Sequence, residues 1–155
     1  MTSSSAEGAG DCVGMGSGCG ADVRAPEIVQ LHPTGMVWPP GGKGILVTEA
    51  VRGEGGYLTN KDGKRFMLEY DPKKKELSSR DIVARSIYKE VQAGRGTEHG
   101  GANLDVRHLG AEQIKKKLPS VSEQFLRRAD VELTKPPIDG APTNHPPQVA
   151  ARGAR

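Results

Sequence analysis

An α+β domain of short strands and packed helices is predicted for this chain by three features. Short β-like runs alternate with helical patterns between about Pro26 and Lys135, Gly- and Pro-based turn signals separate them, and no internal repeat organises the whole. Taken in order, Glu27-Ile28-Val29-Gln30-Leu31 reads as a strand ended by Pro33, and Gly44-Ile45-Leu46-Val47-Thr48 as a second strand after Pro39-Pro40-Gly41-Gly42. Tyr57-Leu58-Thr59 and Arg65-Phe66-Met67 flank an Asp62-Gly63 turn and predict a β-hairpin. Ser78 or Ser79 caps a helix whose Ile82, Val83, Ile87 and Val91 share one side before Gly94 ends it. Ala102 to Val106 predicts another strand. A helix over Ala111 to Leu118 is stopped by Pro119, and a further one opens on Ser120-Val121-Ser122-Glu123 and runs to about Ala129.

Composition narrows this further. The 155 residues include 21 Gly and 11 Pro but only 35% hydrophobic and 4% aromatic residues, a thin supply for a core. The shortage is concentrated at the ends: residues 1–25 are Gly- and Ser-rich and residues 136–155 rich in Pro, Ala, Gly and Arg. Both are expected to stay unpacked around a folded middle, residues 26–135. The net charge of +3 is spread along the chain, and Lys73-Lys74-Lys75 and Lys115-Lys116-Lys117 lack the interleaved aromatics on which bases stack, so nucleic acid is not an expected partner. No apolar run reaches the roughly 20 residues that span a bilayer, and the first residues lack the pattern of a secretory signal, so a cytosolic setting without membrane insertion is expected. Cys12 and Cys19 are too few and too far apart for a disulfide framework or a zinc knuckle.

Most motif-like letters have plainer readings. Gly16-Ser17-Gly18-Cys19-Gly20-Ala21 matches a dinucleotide fingerprint in spacing, but no strand precedes it and Pro26 cuts off a following helix, so a flexible segment is favoured. Lys43 sits in Gly41-Gly42-Lys43-Gly44, which reads as a surface turn rather than a phosphate loop. His99 and His108 have no ligand partners at helical spacing, and no metal site is expected. His32 precedes Pro33 at a strand end, where a side chain can be aimed at a ligand, although on these residues alone a structural histidine is favoured. Thr48, Glu49 and Arg52 put a hydroxyl, a carboxylate and a guanidinium within five residues; in one helical turn Glu49 and Arg52 face each other at i, i+3, as a surface ion pair or a proton path. Arg80 stands at a helix start, where a cation opposes the macrodipole and a role other than stability is indicated.

At these residues the chain resembles a known family. Glu27 to Gly35, Leu46-Val47-Thr48-Glu49-Ala50-Val51-Arg52-Gly53-Glu54-Gly55-Gly56, Gly63-Lys64-Arg65-Phe66-Met67, Ser79-Arg80-Asp81-Ile82-Val83-Ala84-Arg85 and Ala93-Gly94-Arg95-Gly96 closely resemble, in order, the flavoprotein subunit of succinate dehydrogenase and fumarate reductase, with L-aspartate oxidase a relative. The resemblance implies a capping domain that closes over a dicarboxylate lying on FAD held by a separate domain. It also implies roles: His32 and Thr48 hydrogen-bond a substrate carboxylate, Arg80 gives or takes the proton, and Glu49 and Arg52 form its relay. An iron-sulfur subunit is an implied partner, with a peripheral place at the inner face of the cell membrane when assembled.

Departures limit the expectation. Gly10-Asp11 and Val13-Gly14-Met15 match the family upstream, but Gly16-Ser17-Gly18-Cys19 replaces its helix formers. Pro142-Thr143-Asn144-His145 matches the start of the motif whose histidine binds substrate, yet Pro146-Pro147-Gln148 follows instead of a Tyr and Met-Gly-Gly. The family's amino-terminal dinucleotide fingerprint, its flavin-attaching histidine and its later carboxylate-clamping arginine have no match, and Arg152 and Arg155 do not map to the last. The expectation is a fragment of an FAD-dependent oxidoreductase interconverting succinate and fumarate, inactive alone. A non-catalytic module docking on a partner flavin domain, a dicarboxylate binder without chemistry, and a fragment of L-aspartate oxidase stay open beside it.

Overall fold

The computed structural model describes residues 11–24, 30–130 and 137–145. The expectations for residues 1–10, 27–29, 131–136 and 146–155 lie outside them. Within them an antiparallel four-stranded sheet, in the order β1 (Gln30–Trp38), β4 (Ile138–His145), β3 (Ala102–Asp105) and β2 (Tyr57–Thr59), carries helices packed around one apolar core.

Strand β1 spans Gln30–Trp38 and runs through Pro33 instead of ending there. Two things permit this: β1 lies at the sheet edge, where a missing N–H is tolerated, and its register with β4 shifts between His32 and Gly35. The segment after it is not a full strand. Leu46 makes one bridge to Gly35, Met36 N–H donates to the Ile45 carbonyl at 2.8 Å, and Val47 N–H to that of Thr34 at 2.9 Å, before helix α2, Glu49–Gly53, begins. The turn between them is not wholly at the surface: Gly42 is buried, and a Cβ there would stand 2.1 Å from the Met36 sulfur.

Strand β2, Tyr57–Thr59, pairs with β3, Ala102–Asp105, rather than with Arg65–Met67. The expected hairpin is reduced to a bridge between Thr59 and Arg65, although its turn forms as read: Gly63 has φ +77° and the Asn60 side-chain oxygen accepts the N–H groups of Asp62 and Lys64, each at 3.0 Å. The chain then enters helix α3, Met67–Tyr70, because Phe66 and Met67 are both buried and two successive inward side chains break a strand's alternation.

Helix α4, Arg80–Gln92, follows Ser79 and ends at Gly94, whose φ is +71°. Its buried face is Val83, Ala84, Ser86, Ile87 and Glu90, so the stripe lies one step round from the expected one: Ile82 is exposed and a carboxylate is inside. Helices α5, Ala111–Lys117, and α6, Pro119–Ala129, meet at Leu118, where Pro119 both stops one and occupies the first turn of the next. Their buried residues Ile114, Leu118, Val121 and Phe125 recur at helical spacing, each fully buried side chain of this kind contributing about 1.5–3 kcal/mol. Both lysine runs are exposed, as their composition implies.

The ends depart most from expectation. Asp11–Gly18 forms a solvent-facing helix, α1, whose Gly14, Gly16 and Gly18 have nothing within 4 Å of an added Cβ; its backbone bonds close locally and require no core. Ile138–His145 forms β4, an interior strand paired on both sides with β1 and β3. Its low apolar content hid it, because small residues let backbones meet: a Cβ on Gly101 would lie 2.6 Å from the Gly140 carbonyl oxygen, and one on Gly35 2.1 Å from a Thr143 methyl.

β4 also carries Asp139, 9% exposed, which accepts a 2.7 Å bond from Thr97 Oγ1, itself accepting the Gly101 N–H. Burial raises its carboxyl pKa, against the Thr97 bond and the nearby His99. A carboxyl raised in the fold disfavours folding once pH exceeds its unfolded value. Asp139→Asn, which keeps an acceptor for Thr97, is therefore expected to raise the melting temperature at neutral pH, and thermal melts should show the gain vanish below about pH 4.

Candidate active site

Three of the expected site residues meet. In α2, Glu49 and Arg52 share a turn at i, i+3, with Glu49 Oε2 4.0 Å from Arg52 Nη2; the same oxygen accepts a 3.2 Å hydrogen bond from Arg80 Nε at the start of α4. One carboxylate therefore stands between two guanidiniums. Their environments differ: the Arg80 and Glu49 side chains are 40% and 47% exposed, whereas that of Arg52 is fully buried. The 4.0 Å separation exceeds a hydrogen bond, so the Glu49–Arg52 contact is an ion pair only.

Arg52 is the unusual member. Its Nη1 donates at 2.6 Å to the Glu76 backbone carbonyl, while its Nε and Nη2 have no hydrogen-bond partner. Burial lowers its pKa, opposed by Glu49 and assisted by the charge of Arg80. A desolvated guanidinium gives up a proton more readily than one in water.

Thr48 precedes α2 in extended conformation, and its exposed side chain makes no capping bond, leaving the hydroxyl available to a ligand. His32 lies on β1, 2% exposed, its Nδ1 accepting the Thr34 N–H at 3.3 Å. Thr34 ties that strand to Val47, beside Thr48, by its hydroxyl at 3.0 Å to the Val47 carbonyl. The β4 register sets Thr143 opposite His32 and His145 opposite Gln30, so the backbone of β4 brings His145 to the same end of the sheet as β1. The side chain of His145 lies outside the described residues.

Sequence reasoning missed Glu76 and Arg65 as neighbours of this site. Glu76 follows Lys73-Lys74-Lys75, a run read as solvated, yet it is 5% exposed and takes both a 3.1 Å bond from Arg65 Nε and a 2.9 Å bond from Arg65 Nη2. Nothing in its spacing announces this. Among the described residues there is no group of metal-ligating side chains and no helix long and apolar enough to cross a membrane.

Comparison with known proteins gives this arrangement its family. The family model for an FAD binding domain matches residues 1–152. One subunit of the fumarate reductase (CoM/CoB) of Methanothermobacter marburgensis is 50% identical over 145 residues, covering 94% of this chain and 26% of that protein. The succinate dehydrogenase flavoprotein subunit of Coxiella burnetii is 45% identical over 148 residues, covering 93% and 24%. Among solved structures, Mycobacterium smegmatis Sdh1 in complex with UQ1 superposes with a TM-score of 0.68 at 52% identity over 77% of this chain and 20% of that one. A quinol-fumarate reductase with menaquinol gives 0.71 at 38% identity over 85% and 25%. The chain thus belongs to the FAD binding domain family. It belongs to the succinate dehydrogenase and fumarate reductase flavoprotein family, and it spans about a quarter of the length of the curated relatives it matches.

FAD is the cofactor of that family, but the described residues do not form a cradle for it. The glycines of α1 face open space, and the sheet is antiparallel, with no strand leading through a glycine turn into a helix as a dinucleotide site requires.

Proposed function

We propose that this chain is the capping domain of a succinate dehydrogenase or fumarate reductase type flavoenzyme and carries the proton-transfer half of its dicarboxylate site. The observation that carries this reading is the Glu49 carboxylate set between Arg80 and Arg52, 3.2 and 4.0 Å away. Arg80 is the acid in fumarate reduction and the base in succinate oxidation, acting at the substrate carbon. A guanidinium, normally charged below pH ~12, donates only if its proton is returned. Glu49 returns it, the half-exposed carboxylate taking up a proton from solvent and handing it to Arg80, with Arg52 as the other member of the relay. Thr48, His32 and His145 bind a substrate carboxylate, a polar grip that strengthens as charge develops in the transition state. The flavin is placed on a separate domain, and an iron-sulfur subunit is the expected electron partner.

The test is a graft. Residues 30–145 are exchanged for the matching segment of the Methanothermobacter protein, which their 50% identity makes feasible. A folded, FAD-containing chimera is expected to interconvert succinate and fumarate in a dye-coupled assay. A chimera that retains FAD and a cooperative melt but turns over neither acid overturns the reading.

A second reading, a non-catalytic module docking on a partner flavin domain, is favoured by exposed apolar side chains such as Trp38 at 50%, Leu77 at 57% and Tyr88 at 61%. A sharp cooperative melt of the isolated chain argues against dependence on such a partner.

A further inference from the structure

We infer that Glu76 and Arg65 are positioning residues for Arg52: together they form a clamp that sets the direction of its guanidinium. The catalytic consequence rests on the function proposed above, but the clamp itself does not. Arg52 is fully buried and has one hydrogen bond, 2.6 Å from Nη1 to the Glu76 carbonyl, so the place of that carbonyl decides where the other guanidinium nitrogens point.

Glu76 lies in a single 3-10 turn, Lys75–Leu77, entered through Lys75 at φ +52°, a left-handed conformation that side-chain-bearing residues rarely adopt. Such a turn needs outside support. Asp71 supplies part of it, accepting the Lys73 and Lys74 N–H groups and the Ser78 hydroxyl, and the Glu76 side chain ties the turn to the rest of the fold, its two oxygens taking the fork of Arg65 Nε and Nη2 at 3.1 and 2.9 Å. Arg65 is fixed in turn: its guanidinium lies 3.7 Å from the Tyr57 ring centre, and His108 stacks on Tyr57 at 3.9 Å with the planes 2° apart. The His108 Nε2 is 2.9 Å from the Gly55 carbonyl, which follows α2. The Tyr57 stack thus reaches α2 twice, through His108 at its carboxyl end and through Arg65 and Glu76 at Arg52.

Removing Arg65 leaves the Glu76 carboxylate buried and unpaired, a state the fold relieves by moving the turn toward water and its carbonyl away from Arg52. Lysine cannot replace the two-pronged contact, since its ammonium offers no planar fork.

The test is guanidinium hydrogen exchange by NMR in the whole chain labelled with 15N-arginine, which needs neither substrate nor flavin. In the wild type, Arg52 is expected to exchange at least roughly tenfold more slowly than exposed Arg24, in line with one buried charge-assisted bond. In Arg65→Met that protection is lost while the backbone amides of Val83 and Leu104 keep theirs, and Arg65→Lys restores it only in part. Unchanged Arg52 protection in a folded Arg65→Met chain overturns the proposal, and so does an Arg52 that already exchanges as fast as Arg24 in the wild type. Should Arg65→Met fail to fold, Glu76→Gln is judged by the same criteria. An inactive chimera alongside intact Arg52 protection would sink the catalytic reading and leave the clamp standing.

Discussion

Glu90→Ala is expected to destabilise the chain by about 2–4 kcal/mol, because Asn60 and Tyr70 lose a buried acceptor while Arg95, 45% exposed, can turn to water. Glu90 is 2% exposed and takes four bonds: from Arg95 Nε and Nη2 at 2.9 and 2.7 Å, from Tyr70 Oη at 2.9 Å and from Asn60 Nδ2 at 3.2 Å. It joins the turn after β2, helix α3 and the end of α4, and its loss strands the Asn60 and Tyr70 donors at once. The bonds from Arg95, then those from Asn60 and Tyr70, hold its carboxyl down at about 2 against the opposing effect of burial. A depression from 4.5 to about 2 corresponds to about 3 kcal/mol. The group binds its proton more weakly in the fold than unfolded, so this contribution is complete above the unfolded value. It is lost as pH falls from about 4.5 through about 2. Urea unfolding of wild type and Glu90→Gln should show the gap between them narrowing across that window. A gap that stays constant from pH 6 to 2 means the carboxylate is not held as described.

Arg80→Ala in the chimera is expected to lower kcat by about 10²- to 10⁴-fold, the range for loss of a positioned proton donor. FAD content and melting temperature should barely change. Arg80 is 40% exposed, and its bond to Glu49, 47% exposed, is a surface pair of about 0–1 kcal/mol. Glu49→Gln keeps the shape of the contact but removes the proton carrier, and is expected to slow turnover with little change in KM. Steady-state kinetics in both directions check this, and an Arg80→Ala chimera with near-normal kcat places the proton donor elsewhere.

Local chemistry announced much of the helical part. Ser79 and Gly94 bracket α4, and Pro119 divides α5 from α6, because caps and prolines act within a turn of their own position. The i, i+3 pairing of Glu49 with Arg52 is local in the same way. Strands fared worse. Arg65–Met67 has the residues of a hairpin arm but packs Phe66 and Met67 inward, and β4 was hidden by its glycine, proline and polar residues. A strand that buries backbone against backbone leaves little apolar signal.

The sequence alone was enough to establish the family, an α+β chain, the bounds of α4 and the composition of the α2 turn, because long ordered motifs and local caps are written in adjacent residues. Which carboxylate meets which guanidinium was decided by the tertiary structure. Glu49 reaches Arg80 across 31 positions, Arg52 the Glu76 carbonyl across 24 and Glu90 Asn60 across 30. Those contacts exist because the sheet and core bring α2, α4 and the turn at Glu76 together. The same packing removed water from Arg52 and Glu90, and that dehydration separates a buried ion from a solvated one.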